Sequence, residues 1–240
     1  MIAQAKQIQN KILDIKYGRV KEGLGIDIPE IDEYIRYKQG NFNLIIGHAN
    51  VGKTTVICYL FTLYAIKHNL RFVIWSSENT PQSIVRKIIE FKMGMPIHTA
   101  DEDEIAKAIV WCDKHFKIID VEDLYTYKQL LKEAAQIKEA WNYDALLIDP
   151  YNSLAKDHQL LRAVGGHEYD YQVSSEFRMF AKKQNITVYL NAHGVTDALR
   201  RTHPHGHEYA NLPQPLGLAG VEGGGKWGNR SDDVICIHRY

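Results

Sequence analysis

The 240-residue sequence predicts an α/β fold in which a mostly parallel sheet carries helices on both faces, with a separate helix ahead of it. Two observations support this. Short apolar runs suited to buried strands alternate with longer stretches of helical spacing, the order that strand–helix–strand units impose. The first apolar run, Phe42 to Ile46, also passes without interruption into Gly47 and a glycine-rich turn, as a buried parallel strand feeding a helix does.

Ahead of the core, Ile2, Ala5, Ile8, Ile12 and Ile15 recur at three- and four-residue steps and predict an amphipathic helix, taken as a connector over residues 1–20. Its apolar stripe needs a surface, either its own domain or a neighbouring subunit, and the spacing does not choose between them. Gly23 to Gly25 break the pattern, so the core domain is assigned to residues 21–240. Further strands are expected at Phe72 to Trp75, Phe116 to Ile119, Ala145 to Ile148, Ile186 to Leu190 and Val234 to Ile237. Helical stretches include Thr54 to His68, Gln82 to Lys92, Tyr127 to Trp141 and Tyr169 to Lys183. Asn152 to Gly166 and His193 to Arg230 resist assignment and read as long functional loops past strand ends, where open α/β sheets place ligands.

Composition narrows the classes of function. An apolar content of 45% suffices for a sizeable core. With 29 basic and 29 acidic residues the chain has no net charge, so nucleic-acid contact must come from a local basic loop, and a nonspecific DNA-coating protein is disfavoured. Cys58, Cys112 and Cys236 are odd in number and lack a CxxC partner, which argues against disulfides and zinc and for buried thiols in a reducing compartment. No segment approaches the roughly 18 apolar residues of a membrane span, and no signal sequence is evident. A cytoplasmic setting without membrane contact is the expectation.

The residues from Gly47 to Thr54, GHANVGKT, satisfy the G-x-x-x-x-G-K-[ST] spacing between a predicted strand and a predicted helix. In such a loop backbone amides wrap phosphates, the helix N-terminus adds its dipole, the lysine reaches the β- and γ-phosphates, and the hydroxyl serves Mg²⁺. Gly47, Asn50, Val51, Gly52, Lys53, Thr54 and Thr55 are therefore the expected binding residues for a nucleotide such as ATP. Asp149 ends the apolar strand Ala145 to Ile148, the place for a carboxylate that holds Mg²⁺ opposite Thr54, although strand-end aspartates also serve as caps and turn formers. Hydrolysis also requires a group that orients water. Glu78, just past the strand Phe72 to Trp75, is the candidate, and a solvated loop glutamate is the alternative. His193 closes another strand, where an imidazole can report the γ-phosphate or serve as an ordinary loop histidine.

The loop from Glu222 to Asn229 combines glycines that allow close backbone approach with one cation. Gly224, Gly225, Lys226 and Asn229 are expected to contact single-stranded DNA phosphates, with Arg200 and Arg201 from the preceding loop. A solvated surface charge is the alternative for each of these cations, and Trp227 suits either base stacking or the core. His203, His205 and His207 lie in an irregular segment without fixed geometry for a metal.

Taken in order, Ser77-Glu78-Asn79-Thr80-Pro81, Ile148-Asp149-Pro150-Tyr151-Asn152, the strand ending Ala192-His193, and the run from Glu222 to Asp233 resemble the RecA-like ATPase domain of ring-shaped replicative DNA helicases, the DnaB-type superfamily. Twinkle and the phage primase-helicases are the most similar members. The resemblance runs from about Gly23 to the end. It implies a catalytic glutamate at Glu78, a Walker B aspartate at Asp149, a γ-phosphate sensor at His193 and loops facing a central channel. It also implies ATP and Mg²⁺ as cofactors, a hexameric ring in which the N-terminal helix packs on the next subunit, 5′-to-3′ movement on DNA in a bacterial or phage-infected cell, and replication partners such as a primase. Members continue into a further strand with a Lys-x-Arg pair whose arginine reaches the neighbour's ATP site. This sequence ends at Tyr240, so a C-terminally shortened domain with weak assembly and turnover is expected unless Arg239 or another arginine substitutes. A RecA-type recombinase and a nucleotide-dependent loader or assembly switch share the nucleotide site and stand as alternatives.

Overall fold

Six apolar runs become six strands: β1 (Phe42–Gly47), β2 (Phe72–Ser76), β3 (Phe116–Ile119), β4 (Ala145–Asp149), β5 (Thr187–His193) and β6 (Asp233–Cys236). In this computed structural model they form a single parallel sheet in the order β3-β2-β4-β5-β1-β6. Residues 5–17, 23–120, 125–221 and 223–240 are described. Parts of the expected connector, residues 1–4 and 18–20, and Glu222 of the glycine loop lie outside them, as do residues 21 and 22.

The chain divides into two compact units, Met1–Lys38 and Gln39–Tyr240. In the first, a 3₁₀ turn (Ala5–Ile8) leads into α1 (Gln9–Lys16), and a short α2 (Pro29–Asp32) follows. The Asp32 carboxylate accepts from the amides of Ile26 and Asp27 at 2.7 and 2.9 Å. A Cβ at Gly25 would come within 2.4 Å of that carboxylate, so the closed turn requires glycine.

In the second unit every residue of β1, β2 and β4 is buried, which explains why those strands are apolar without alternation. Phe42, Leu44 and Ile46 point to the face covered by α6 (Tyr127–Trp141), α7 (His158–Gln184) and α8 (Gly225–Gly228), where Leu130, Phe177 and Trp227 complete one cluster. Toward α3 (Lys53–His68), the Phe61 ring stacks on Phe72 at 4.2 Å and meets Tyr189 edge-on. Removing each such large side chain from water is worth about 1.5–3 kcal/mol. α4 (Pro81–Met93) packs beside α3, and α5 (Glu102–His115) packs beside α4.

Helix α5 was not among the expected helices, yet its start carries a reciprocal capping box between Asp101 and Glu104. The segment Asn152 to Gly166, expected to be irregular, is helical from His158. Asp157 caps that end, accepting from the Gln159 and Leu160 amides, and Gly165 (φ 77°) kinks the long helix into two pieces. The paired glycines interrupt the apolar periodicity that would have revealed it. From His193 to Arg230 the chain makes short 3₁₀ turns, isolated bridges and the one-turn α8. Among the described residues no helix is long and apolar enough to cross a membrane.

Cys58 and Cys112 are buried as expected, but Cys236 is exposed. The reason is topological: β6 is an edge strand, and Val234 and Cys236 alternate outward from it. Burial pushes the Cys58 and Cys112 thiols up to about 12, each helped by a nearby carboxylate, Asp149 and Asp113 respectively. In the native protein at pH 8 an aromatic disulfide reagent should label Cys236 first, with Cys58 and Cys112 reacting only on unfolding. Peptide mapping by mass spectrometry checks the order, and prompt labelling of Cys58 would contradict this packing.

Candidate functional site

The loop after β1 is shaped by its glycines. Ile237, just beyond β6, donates its amide to Ile46 O at 2.8 Å, and its carbonyl would lie 2.3 Å from a Cβ at Gly47, so no side chain fits there. Asn50 (φ 60°) and Gly52 (φ 94°) take left-handed conformations that turn the chain into α3. Gly52 is the N-cap and offers no side chain, so the first amides of α3 are left for a ligand. Lys53 is buried and donates to the carbonyls of Gly47 (3.1 Å) and His48 (2.9 Å), with His193 Nδ1 at 3.4 Å. Burial lowers its pKa, against the opposing pull of the Glu78 and Asp149 carboxylates.

Asp149 is 1% exposed and accepts three hydrogen bonds, from Thr54 Oγ1 (2.8 Å), Ser76 Oγ (3.0 Å) and Asn191 Nδ2 (2.5 Å). The donors come from α3, β2 and β5, and the register that sets Ser76 beside Asp149 brings them together. Glu78 Oε1 meets His193 Nε2 at 3.0 Å, while the other ring nitrogen faces Lys53. The backbone amide of His193 donates to Asn152 Oδ1 at 3.3 Å. A cavity of about 380 Å³ is lined by Asn50, Gly52, Lys53, Thr54, Thr55, Glu78 and His193 together with Ala49, Asn79 and Lys87. Seven predicted residues thus share one site. Gly47 and Val51 shape the loop without lining the cavity, and Asp149 sits behind Thr54.

The chemistry of this site suits a polyphosphate. Backbone amides and an ammonium can take phosphate oxygens, and the Lys53 carbonyl contacts are ones that a stronger acceptor can replace. Thr54 and Asp149 present two hard oxygen donors 2.8 Å apart, a pair that fits Mg²⁺ when phosphates and water complete its coordination. Among the described residues no group of three or more His, Cys, Asp or Glu side chains has metal-holding geometry. Sequence reasoning missed Ser76, Asn79, Lys87 and Asn191. Asn191 left a signal, a polar residue inside the run Tyr189-Leu190-Asn191-Ala192, since a buried amide must find a partner.

The expected DNA-contacting residues lie away from the cavity. Gly224 (φ 43°) opens α8, which contains Gly225 and Lys226 and ends at Asn229, whose amide donates to Gly225 O. Lys226 Nζ lies 3.8 Å from Asp170 Oδ2, and Asp170 also accepts from Tyr151 Oη at 2.8 Å. Trp227 is fully buried with its ring 4.5 Å from that of Tyr151, so of its two readings the core holds. Arg200 is exposed and pairs with Asp197, and Arg201 is exposed beside it. Gly194 and Val221 form a bridge, and Val195 donates to Gly220 O at 2.7 Å, joining the loop after His193 to the glycine loop. His203 and His207 stack face to face at 4.0 Å, which directs their nitrogens away from a common centre.

A parallel sheet with this loop at its C-terminal edge defines a RecA-like α/β fold. Among solved structures the chain resembles the ATPase domain of G40P, with a TM-score of 0.69, 14% identity, and coverage of 95% of this chain and 81% of that one. It also resembles a DnaB-like replicative helicase whose structure was described with its interactions with primase. There the TM-score is 0.71 and the identity 15%, and the match covers 98% of this chain but 56% of that one. The chain therefore has the fold of DnaB-like helicase ATPase domains and spans little more than half the length of that helicase. No family model and no curated protein matches the sequence.

Replacing Asn191 with leucine should leave the buried Asp149 carboxylate one donor short and cost about 1–3 kcal/mol of stability. Urea unfolding measures this, and an unchanged midpoint would show that the amide contributes nothing to holding the carboxylate.

Proposed function

We propose that this chain is an ATP-hydrolysing motor domain that works in a ring on single-stranded DNA, in the manner of a replicative helicase. The observation that carries the reading is the unbroken contact from Lys53 through His193 to Glu78 across one cavity, with Thr54 and Asp149 alongside. The loop amides from Asn50 to Thr55 bind the phosphates, and Lys53 leaves its own carbonyls for the β- and γ-phosphates. Mg²⁺, held by Thr54 and Asp149, supplies charge neutralisation when bound. Glu78 is placed to orient the attacking water and accept its proton. His193 touches both Glu78 and Lys53, which suits it to register the terminal phosphate and pass the change into the segment bridged to the glycine loop.

Residues 1–20 act as a connector to the next subunit of a hexamer, residues 21–240 form the motor, and a primase is a candidate partner. The resemblance supports these assignments, including 5′-to-3′ movement. Lys226, Arg200, Arg201, Gly224, Gly225 and Asn229 form the DNA-facing set. In the state described here Lys226 is neutralised by Asp170, so DNA must compete for it.

Lys53→Ala should abolish ATP turnover with the fold intact, and Glu78→Gln should slow it by about 10²–10⁴-fold while retaining nucleotide binding. Rates measured with and without single-stranded DNA, alongside the oligomeric mass, test the motor reading. Turnover indifferent to DNA in an assembled ring would favour a loader, and strand exchange would favour a recombinase. Asp170→Asn keeps an acceptor for Tyr151 but frees Lys226, so single-strand affinity should rise severalfold and its salt dependence steepen by about one ion. Unchanged affinity in a fluorescence titration would remove Lys226 from the DNA-facing set.

A further inference from the structure

Just past β6, His238 meets rings from two other parts of the chain. Its imidazole lies edge-on to His48 of the phosphate loop, with ring centroids 6.2 Å apart, and to Tyr240 at 4.4 Å. Tyr240 stacks on Tyr209 at 3.7 Å, and its hydroxyl lies 3.1 Å from His203 Nε2. His203 in turn stacks on His207 at 4.0 Å. The segment from Arg201 to Gln214 closes on itself, since Gln214 donates its amide to Arg201 O and His203 donates its own to Leu212 O. Its last residue reaches the phosphate loop, where Gln214 O accepts from His48 Nε2 at 3.0 Å. Lys53 donates to the His48 carbonyl at 2.9 Å, so the segment is fastened to the loop that holds the lysine.

This fastening suits neutral imidazoles. With its Nε2 donating, His48 leaves Nδ1 as a buried lone pair without a partner, and both nitrogens of His238 are likewise buried and unpartnered. A proton added to His238 would be a charge without an acceptor. Burial lowers the His238 pKa, and the His48 and His203 rings lower it further, while burial and then His207 lower that of His203. The other charged groups around the rings are Lys53 at the His48 carbonyl, Glu208 beside the Tyr209 hydroxyl, and the exposed Arg239.

We propose that these histidines form a proton-sensitive clasp, which holds residues 201–214 against the phosphate loop while neutral and releases them when protonated. In the released form water reaches each imidazole, which then binds its proton at the ordinary histidine pKa of about 6.5. Closing is therefore favoured above that pH and is lost as pH falls below it, towards the lowered values of the closed form. The stacked pair adds to the effect, because two cations with ring centroids 4.0 Å apart repel each other. The clasp rests on ring geometry and not on which ligand the cavity takes.

Amide hydrogen exchange of the full chain, followed by mass spectrometry between about pH 5.5 and 7.5 and corrected for intrinsic rates, tests this. Exchange over residues 202–216, including Leu216, whose amide bonds the Cys236 thiol across to β6, should quicken at least about tenfold towards the acid end. In the double variant His203→Phe, His238→Phe, which keeps the rings but cannot take up the protons, the change should shrink to within about threefold. His205→Phe should behave as the wild type, since His205 is exposed and outside the stacked rings. Near-UV circular dichroism confirms that each variant is folded, and glutamine replaces phenylalanine at either position if it is not. Exchange indifferent to pH, a pH response that survives in the double variant, or equal quickening in β1 and β4 would overturn the clasp. No nucleotide is added, so each of these results leaves the nucleotide reading untouched.

Discussion

A carboxylate with almost no access to water has to be surrounded by donors, and in this molecule that requirement fixes the edge of the sheet. Asp149 is served by a threonine from α3, a serine from β2 and an asparagine from β5. None of the three can move far without stranding a buried charge, which costs several kcal/mol. The loop carrying Lys53, the turn carrying Glu78 and the strand end carrying His193 are therefore held relative to one another before any ligand arrives. Preorganisation of this kind is what lets fixed dipoles and charges act on a reacting group without first being rearranged.

Most of the architecture was legible because the physics was local. Strands buried on both faces must be apolar throughout, so β1, β2 and β4 showed as runs; the edge strands β3 and β6 are partly exposed yet still apolar enough to show, and the ends of all six fell within a few residues of expectation. The glycine-lysine-threonine loop was legible for the same reason: its shape depends on backbone angles that few residues other than glycine accept. Where several weak signals competed, the reading failed. The start of α7 was hidden by the Gly165–Gly166 pair, although Asp157 caps it, and α5 went unassigned although its capping box at Asp101 and its acidic first turn both mark a helix start. Cys236 was expected inside because small apolar side chains usually are, but strand order, a long-range property, left it on an edge.

The site divides along the same line. Lys53, Thr54, Glu78, Asp149 and His193 each lie at, or within two residues of, the end of an element and could be found one at a time. Their supporting residues could not, since Ser76, Asn191 and Lys87 acquire their place from the register between strands and from how α4 lies beside α3. Spacing along the chain carries no record of such relations without a second sequence to compare. The grouping of predicted DNA-facing residues apart from the cavity was likewise invisible, as was the pairing of Lys226 with Asp170.

Trp227 offers a last consequence. Its indole is wholly enclosed and abuts Tyr151, two residues beyond Asp149, while a Cβ at Gly223 would come within 2.6 Å of the indole nitrogen. A close-packed wedge of this sort does not deform gradually. The short helix at Gly225–Gly228 is consequently mounted on the segment leaving the sheet edge at Asp149 as a lever is mounted on its fulcrum, so that a displacement at one end would be carried to the other instead of dissipating in a slack loop.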